Sequence, residues 1–226
     1  MIQELIAITL EIETIEKTLS IVELIKSGGF AGQLIIALLT FLLIVTLYIY
    51  FERLLTIKSA SKVDSNFMNE IKDYVVNGNF DAAKVLCMNV NSPVSRLIHK
   101  GVSRIGRPLA DINSSIENAG KLEVYSLEKN VSVLATISGA APMIGFLGTV
   151  IGMILSIFEI ANSGGQIDIK LLADGLYTAM TTTVGGLVVG IIAYISYNHI
   201  VGRTNKVVYQ MEANSVEFLD LLNEPT

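Results

Sequence analysis

Charge is scarce in this sequence. Only 16% of its 226 residues are Asp, Glu, Lys or Arg, where soluble domains carry about 25%. The mean hydropathy is +0.57. A chain this apolar falls with membrane proteins rather than soluble globular ones. Cysteine is nearly absent. Cys87 stands alone, which excludes an intrachain disulfide and any multi-cysteine metal site; a buried thiol on a cytoplasmic helix is expected. His99 has no second His or Cys near it to complete a metal site. The net charge of −5 is mild and dispersed, and no basic patch is interleaved with aromatics, so a nucleic-acid partner is not expected. Paired carboxylates, a nucleophile motif and a phosphate loop are all missing. The expectation is a protein that is not an enzyme and uses no metal and no cofactor.

What the chain does have is three long runs without a charged residue: Leu34 to Phe51, Val131 to Phe158 and Gly175 to Val201. A helix of about 20 residues crosses a hydrocarbon core of about 30 Å, so each run can span a lipid bilayer. The expected fold class is an all-α integral membrane protein with three transmembrane helices and long helical cytoplasmic extensions. The expected segments are an amphipathic external or interfacial helix over 1–29, a first span over 30–52 and a cytoplasmic helical segment over 53–130. A second span over 131–158, an external loop over 159–174, a third span over 175–201 and a cytoplasmic C-terminal helix over 202–226 follow. The first segment is not expected to be a signal peptide, because Glu4, Glu11, Glu13 and Glu16 interrupt it. Its apolar residues Leu5, Ile8, Ile12, Ile15, Leu19 and Val22 instead form one helical stripe, with Gly28-Gly29 as a bend before the first span. In the outer loop, Glu159, Asp168 and Asp174 are expected to be solvated.

Orientation follows from the basic residues. Of the sixteen lysines and arginines, thirteen lie between the first and second runs or after the third; three lie elsewhere. Positive residues near spans stay in the cytoplasm, which places the N-terminus outside and the C-terminus inside. In the cytoplasmic segment, Asn79 reads as a helix N-cap, "NSPVSRLI" and "GRPLADI" as breaks with helices after them, and Glu117 with Lys121 as a helical ion pair.

The second and third runs are two-faced. At 100° per residue, Ser138, Ala141, Pro142, Gly145, Gly148, Thr149, Gly152 and Ser156 share one side of the second. In the third, Gly175, Ala179, Thr183, Gly186, Gly190 and Ala193 form a small stripe, with Thr178, Thr181, Thr182 and Gly185 on an adjoining arc. The first run has no such stripe and reads as a peripheral, lipid-facing helix. Small stripes let membrane helices approach closely, so one reading makes Gly145, Gly148, Gly152, Gly186, Gly190 and Pro142 packing residues of a structural scaffold. The other reading adds a water-lined or proton-accessible path. Thr149 lies nine residues before the outer end of its run and Thr183 eight after the start of the next, about 13 Å and 12 Å deep. In an antiparallel hairpin these two threonines can face each other. A hydroxyl can pass a proton but cannot store one near neutral pH. The runs hold no carboxylate, so an ionisable group must come from another chain. His199, at the inner end of the third run, reads as an interfacial side chain rather than a relay.

The stretches "ISGAAPMIGFLGTVIGMILSIFEIA", "GLYTAMTTTVGGLVVGI" and "YN" resemble the ExbB/TolQ/MotA family of proton-channel subunits. The three-span layout is most similar to ExbB. The resemblance implies a subunit of a bacterial inner-membrane complex, with a periplasmic N-terminus and a cytoplasmic C-terminus. It implies a homo-oligomeric ring of five copies in the lipid bilayer and a dimeric ExbD/TolR-type partner whose single spans enter the pore. An Asp on that partner takes up and releases protons, and a TonB-like protein carries the work to the outer membrane. Thr149 and Thr183 match the family's pore threonines. With Thr182, Thr178, Thr181 and Ser156, they are the expected proton-pathway residues. TolQ-like service to envelope integrity is the related alternative. The chain departs from many relatives in having Thr178 where they carry a glutamate.

Overall fold

A computed structural model describes residues 29–61, 66–162 and 169–223. Every regular element among them is an α-helix: α1 Gly29–Ala60, α2 Phe67–Val76, α3 Phe80–Asn89, α4 Pro93–Val102, α5 Leu109–Leu127, α6 Val131–Asn162 and α7 Ile169–Asn223. Residues 1–28 of the helix expected over 1–29, Asp168 and the side chains of Glu159 and Asp174 lie outside what is described. Three helices are long and apolar enough to cross a membrane, over Ala31–Ala60, Val131–Asn162 and Gly175–Asn223.

Helix overruns the expected boundaries. Gly29, expected in a bend, opens α1, which continues to Ala60, past the charges of Glu52 and Arg53. Residues 159–162 and 169–174, expected in a loop, are helical. The tail after Val201 is expected to continue the third helix, and helix α7 does extend through Asn223. Charge ends a lipid-compatible run but does not end a helix. Glu, Lys and Arg are good helix formers, and none of these boundaries carries a Gly-Pro break.

The helices fall into two compact units, one of residues 1–42 with 139–190, the other of 43–138 with 191–226. The second unit has an apolar core in which Ile57, Ile71, Cys87, Val94, Ile98, Ile112, Ile116, Val207, Met211 and Phe218 are buried. Burying each such side chain contributes roughly 1.5–3 kcal/mol. Local signals set the helix starts. The Asn79 side chain accepts from the Ala82 N–H, after Gly78 turns the chain at φ +69°. Ser92 and Ser95 form a reciprocal capping box ahead of Pro93. Glu117 and Lys121 pair at 2.8 Å. Arg96 grips Glu123 through two 2.6 Å hydrogen bonds, which hold the guanidinium pKa above its usual value.

Arg53 has no counterpart in the sequence reading. Only 6% exposed, it pairs with Glu52 and donates a 2.9 Å hydrogen bond to the Ser126 carbonyl. That carbonyl lies in the last turn of α5, where the helix dipole favours a cation. Pairing and hydrogen bonding together offset the burial of its charge.

Candidate functional site

The first unit contains the α6–α7 hairpin. Its register runs antiparallel, with Ala141 beside Gly186, Gly145 beside Thr182 and Gly186, Gly152 beside Ala179 and Ser156 beside Gly175. The approach is closest at Gly145 and Gly186. A Cβ at Gly145 would stand 2.7 Å from the Thr182 carbonyl oxygen, and one at Gly186 would stand 2.6 Å from the Ala141 oxygen. Each glycine faces backbone, which cannot turn aside. At Gly148 an added carbon would strike the Thr182 side chain, and at Gly152 it would lie 3.0 Å from the Ala179 Cβ. Gly190 is buried and Pro142 is half-buried. Opposite this seam, Met143, Phe146, Leu147, Ile154, Ile157, Phe158, Met180, Val184 and Ile191 are exposed, as suits contact with lipid.

Three hydroxyls converge on this seam. Thr149 Oγ1 and Thr183 Oγ1 are in direct hydrogen-bond contact across the hairpin, at the common level expected from their depths. Thr183 also donates to the Gly145 carbonyl at 3.2 Å. Thr182 bonds the Ala179 carbonyl at 2.8 Å and the Gly145 carbonyl at 3.3 Å. Thr149 reaches the Ala179 and Gly145 carbonyls at 3.3 and 3.5 Å. The Gly145 carbonyl is therefore a shared acceptor for all three. A hydroxyl has one proton, so the cluster commits its three protons to its own carbonyls and to one hydroxyl–hydroxyl bond. Its remaining capacity is for accepting.

The other threonines do not share that surface. Thr182 is fully buried against Gly148. Thr178 is buried, and a Cβ at Gly32 of α1 would lie 2.9 Å from its Cγ2. Thr181 is half-buried and donates to the Tyr177 carbonyl at 2.9 Å. The three residues of the expected hydroxyl arc, Thr178, Thr181 and Thr182, thus meet different surroundings. Angle on a helical wheel groups these residues, but the seam with α6 is centred on Thr182 rather than Thr183. Ser156 is buried against Gly175 and bonds back to the Gly152 carbonyl at 2.9 Å. Thr149 and Thr183 alone are both partly exposed and joined. The Gly145 carbonyl was missed, since a backbone acceptor leaves no mark in a residue pattern. First-span burial was missed too: Gly32, Ile35, Leu39, Thr46 and Ile49 line one buried face of α1, at helical spacings of three, four and seven residues.

Long apolar helices, a glycine seam and a paired-hydroxyl site define a class: an all-helical integral membrane protein with three candidate membrane helices and polar chemistry at its hairpin. The family model described as the MotA/TolQ/ExbB proton channel family matches residues 89–213, and the chain belongs to that family. Within it, the chain is most like ExbB. It is similar to an ExbB-homologue biopolymer transport protein of Methanothermobacter thermautotrophicus, with 26% identity over 194 residues, 85% of this chain and 67% of the relative. It is also similar to the biopolymer transport protein ExbB of Aquifex aeolicus, 36% identical over 48% of this chain and 74% of the relative. The Tol-Pal system protein TolQ of Haemophilus influenzae is 35% identical over 38% of this chain and 37% of the relative. The chain spans 57% of the length of an ExbB-like relative from Helicobacter pylori.

Proposed function

We propose that this chain is the proton-channel and motor subunit of an inner-membrane energy-transducing complex of the ExbB–ExbD–TonB type. In this reading five copies form a ring with periplasmic N-termini and cytoplasmic C-termini. A dimeric ExbD/TolR-like partner places its single spans in the pore. The partner's Asp carries the proton past Thr149 and Thr183, and proton flow moves the partner. A TonB-like protein then delivers the work to outer-membrane transport. The observation that carries the reading is the joined Thr149–Thr183 pair in two runs that hold no carboxylate of their own. Membrane proton relays use an ionisable group, so a hydroxyl pair without one can serve a proton path only beside a partner that supplies it.

The test replaces both threonines by valine, which keeps their shape. Proton-driven uptake of a large iron chelate is measured alongside recovery of the intact complex. Loss of uptake with normal assembly is expected, and full uptake sinks the pore assignment. The TolQ match favours one second reading, service to envelope integrity. A deletion strain that leaks periplasmic proteins yet imports iron chelates normally would select it.

A further inference from the structure

We infer that Lys58, Arg203 and Lys206, with Ser61, form a seat for the phosphate of an anionic phospholipid headgroup. These residues and Ile57 line a crevice of about 290 Å³ between the end of α1 and the middle of α7. Ile57, 1% exposed, is its apolar wall. Three positive charges converge there with one hydroxyl, and no carboxylate lines the crevice among the described residues. The ion pairs of this unit engage other cations: Arg53 with Glu52, Lys84 with Asp81, Arg96 with Glu123 and Lys121 with Glu117. Lys58, Arg203 and Lys206 have no carboxylate partner among the described residues. Such a cluster repels itself unless an anion joins it.

Depth chooses the anion. The Tyr50 hydroxyl meets His199 Nδ1 at 2.8 Å, which fixes α1 and α7 side by side at one level. Tyr48 and Tyr194 are exposed near that level, as aromatic side chains are at a membrane–water boundary. Counting on from this contact, Arg203 lies four residues along, Lys206 seven and Lys58 eight. At about 1.5 Å per residue these are about 6, 10 and 12 Å beyond it. The headgroup layer extends roughly 5–8 Å past the hydrocarbon core, and lysine and arginine reach back toward it along flexible stems. The crevice therefore sits where phospholipid phosphates lie. An arginine fork can grip two phosphate oxygens while the lysines add point charges.

The test is made on the full-length protein in detergent. It is titrated with dioleoyl phosphatidylglycerol or dioleoyl phosphatidylcholine, and bound lipid is counted by native mass spectrometry. Preferential retention of phosphatidylglycerol is expected. A cation near the membrane surface contributes about a fivefold affinity gain, so the triple variant Lys58→Gln, Arg203→Gln, Lys206→Gln should lose about a hundredfold. Arg203→Gln alone should lose about fivefold, which keeps the test decisive if the triple variant does not fold. The control variant Lys72→Gln, Lys100→Gln, Arg104→Gln removes the same charge elsewhere and should bind as the parent does. Unchanged phosphatidylglycerol binding in the crevice variants, or equal loss in the control, overturns the proposal. So does displacement of the lipid by excess inorganic phosphate, which would make free phosphate the occupant.

Discussion

Gly186→Ala tests the hairpin seam most directly. The new methyl would lie 2.6 Å from the Ala141 carbonyl oxygen, 2.8 Å from the Gly145 Cα and 3.1 Å from the Gly145 nitrogen. Comfortable heavy-atom contact begins near 3.5 Å, so the helices must part by about 0.5–1 Å. Overpacking of this kind costs about 1–3 kcal/mol. Alanine's better helix preference returns about 1 kcal/mol. Parting the helices also stretches the Thr183 and Thr182 bonds to the Gly145 carbonyl, now 3.2 and 3.3 Å. Each interhelical bond in a membrane contributes about 0.6 kcal/mol, so the net loss is about 1–3 kcal/mol, or roughly 2–12 °C in Tm. Gly202→Ala is the control. Nothing lies within 4 Å of its added carbon, and helix preference alone should stabilise it by up to about 1 kcal/mol. The chain has no tryptophan, so thermal melts in detergent are followed by helical circular dichroism. A Gly186→Ala protein as stable as the Gly202→Ala protein would refute the backbone-on-backbone approach.

Three further outcomes are expected. Thr182→Val keeps the shape of a fully buried side chain and removes its bonds to Ala179 and Gly145, so the melt should fall by about 0.6–1.7 kcal/mol. Uptake should persist; loss of uptake in an intact complex would put Thr182 on the proton path. Burial pushes the Cys87 thiol from 9.0 up to about 12. The folded protein therefore holds the thiol neutral where the unfolded chain ionises it. The resulting stability is fully present below pH 9, is lost progressively as pH rises toward 12, and disappears from the pH profile in Cys87→Ala. Ser92→Ala breaks the capping box of α4 and should cost about 1 kcal/mol, read by the same melts; no change would mean Ser95 alone caps the helix.

The sequence was most legible where one residue type does one local job. Asn79 caps α3, Ser92 and Pro93 open α4, and charge-free length marks the three long helices. The level of Thr149 and Thr183 was legible too, because rise per residue converts position into depth. What failed was azimuth. A wheel gives the angles between Thr178, Thr181 and Thr182, but not which angle meets a neighbour. That depends on where Gly145 and Gly148 allow the backbones to close, a property of two helices together. Boundaries failed where they were drawn at charges: helix α1 runs through Glu52 and Arg53, and residues 159–162 and 169–174 are helical. Arg53 was unreadable since its partner carbonyl at Ser126 lies 73 residues away.

The geometry of the hydroxyl cluster bears on which protonation state of a partner's acid it would favour under the proposed reading. Thr183 and Thr182 hold carbonyls at 3.2 and 2.8 Å. Thr149 meets carbonyls at 3.3 and 3.5 Å and shares the direct hydroxyl contact with Thr183. With protons spent inward, the exposed side of the pair offers lone pairs. A protonated carboxyl can donate into them, whereas a carboxylate finds no donor there. Apolar surroundings push the same way, since desolvation disfavours the charged form. Under the proposed reading, the pair thus favours the neutral form of a partner's acid at this depth.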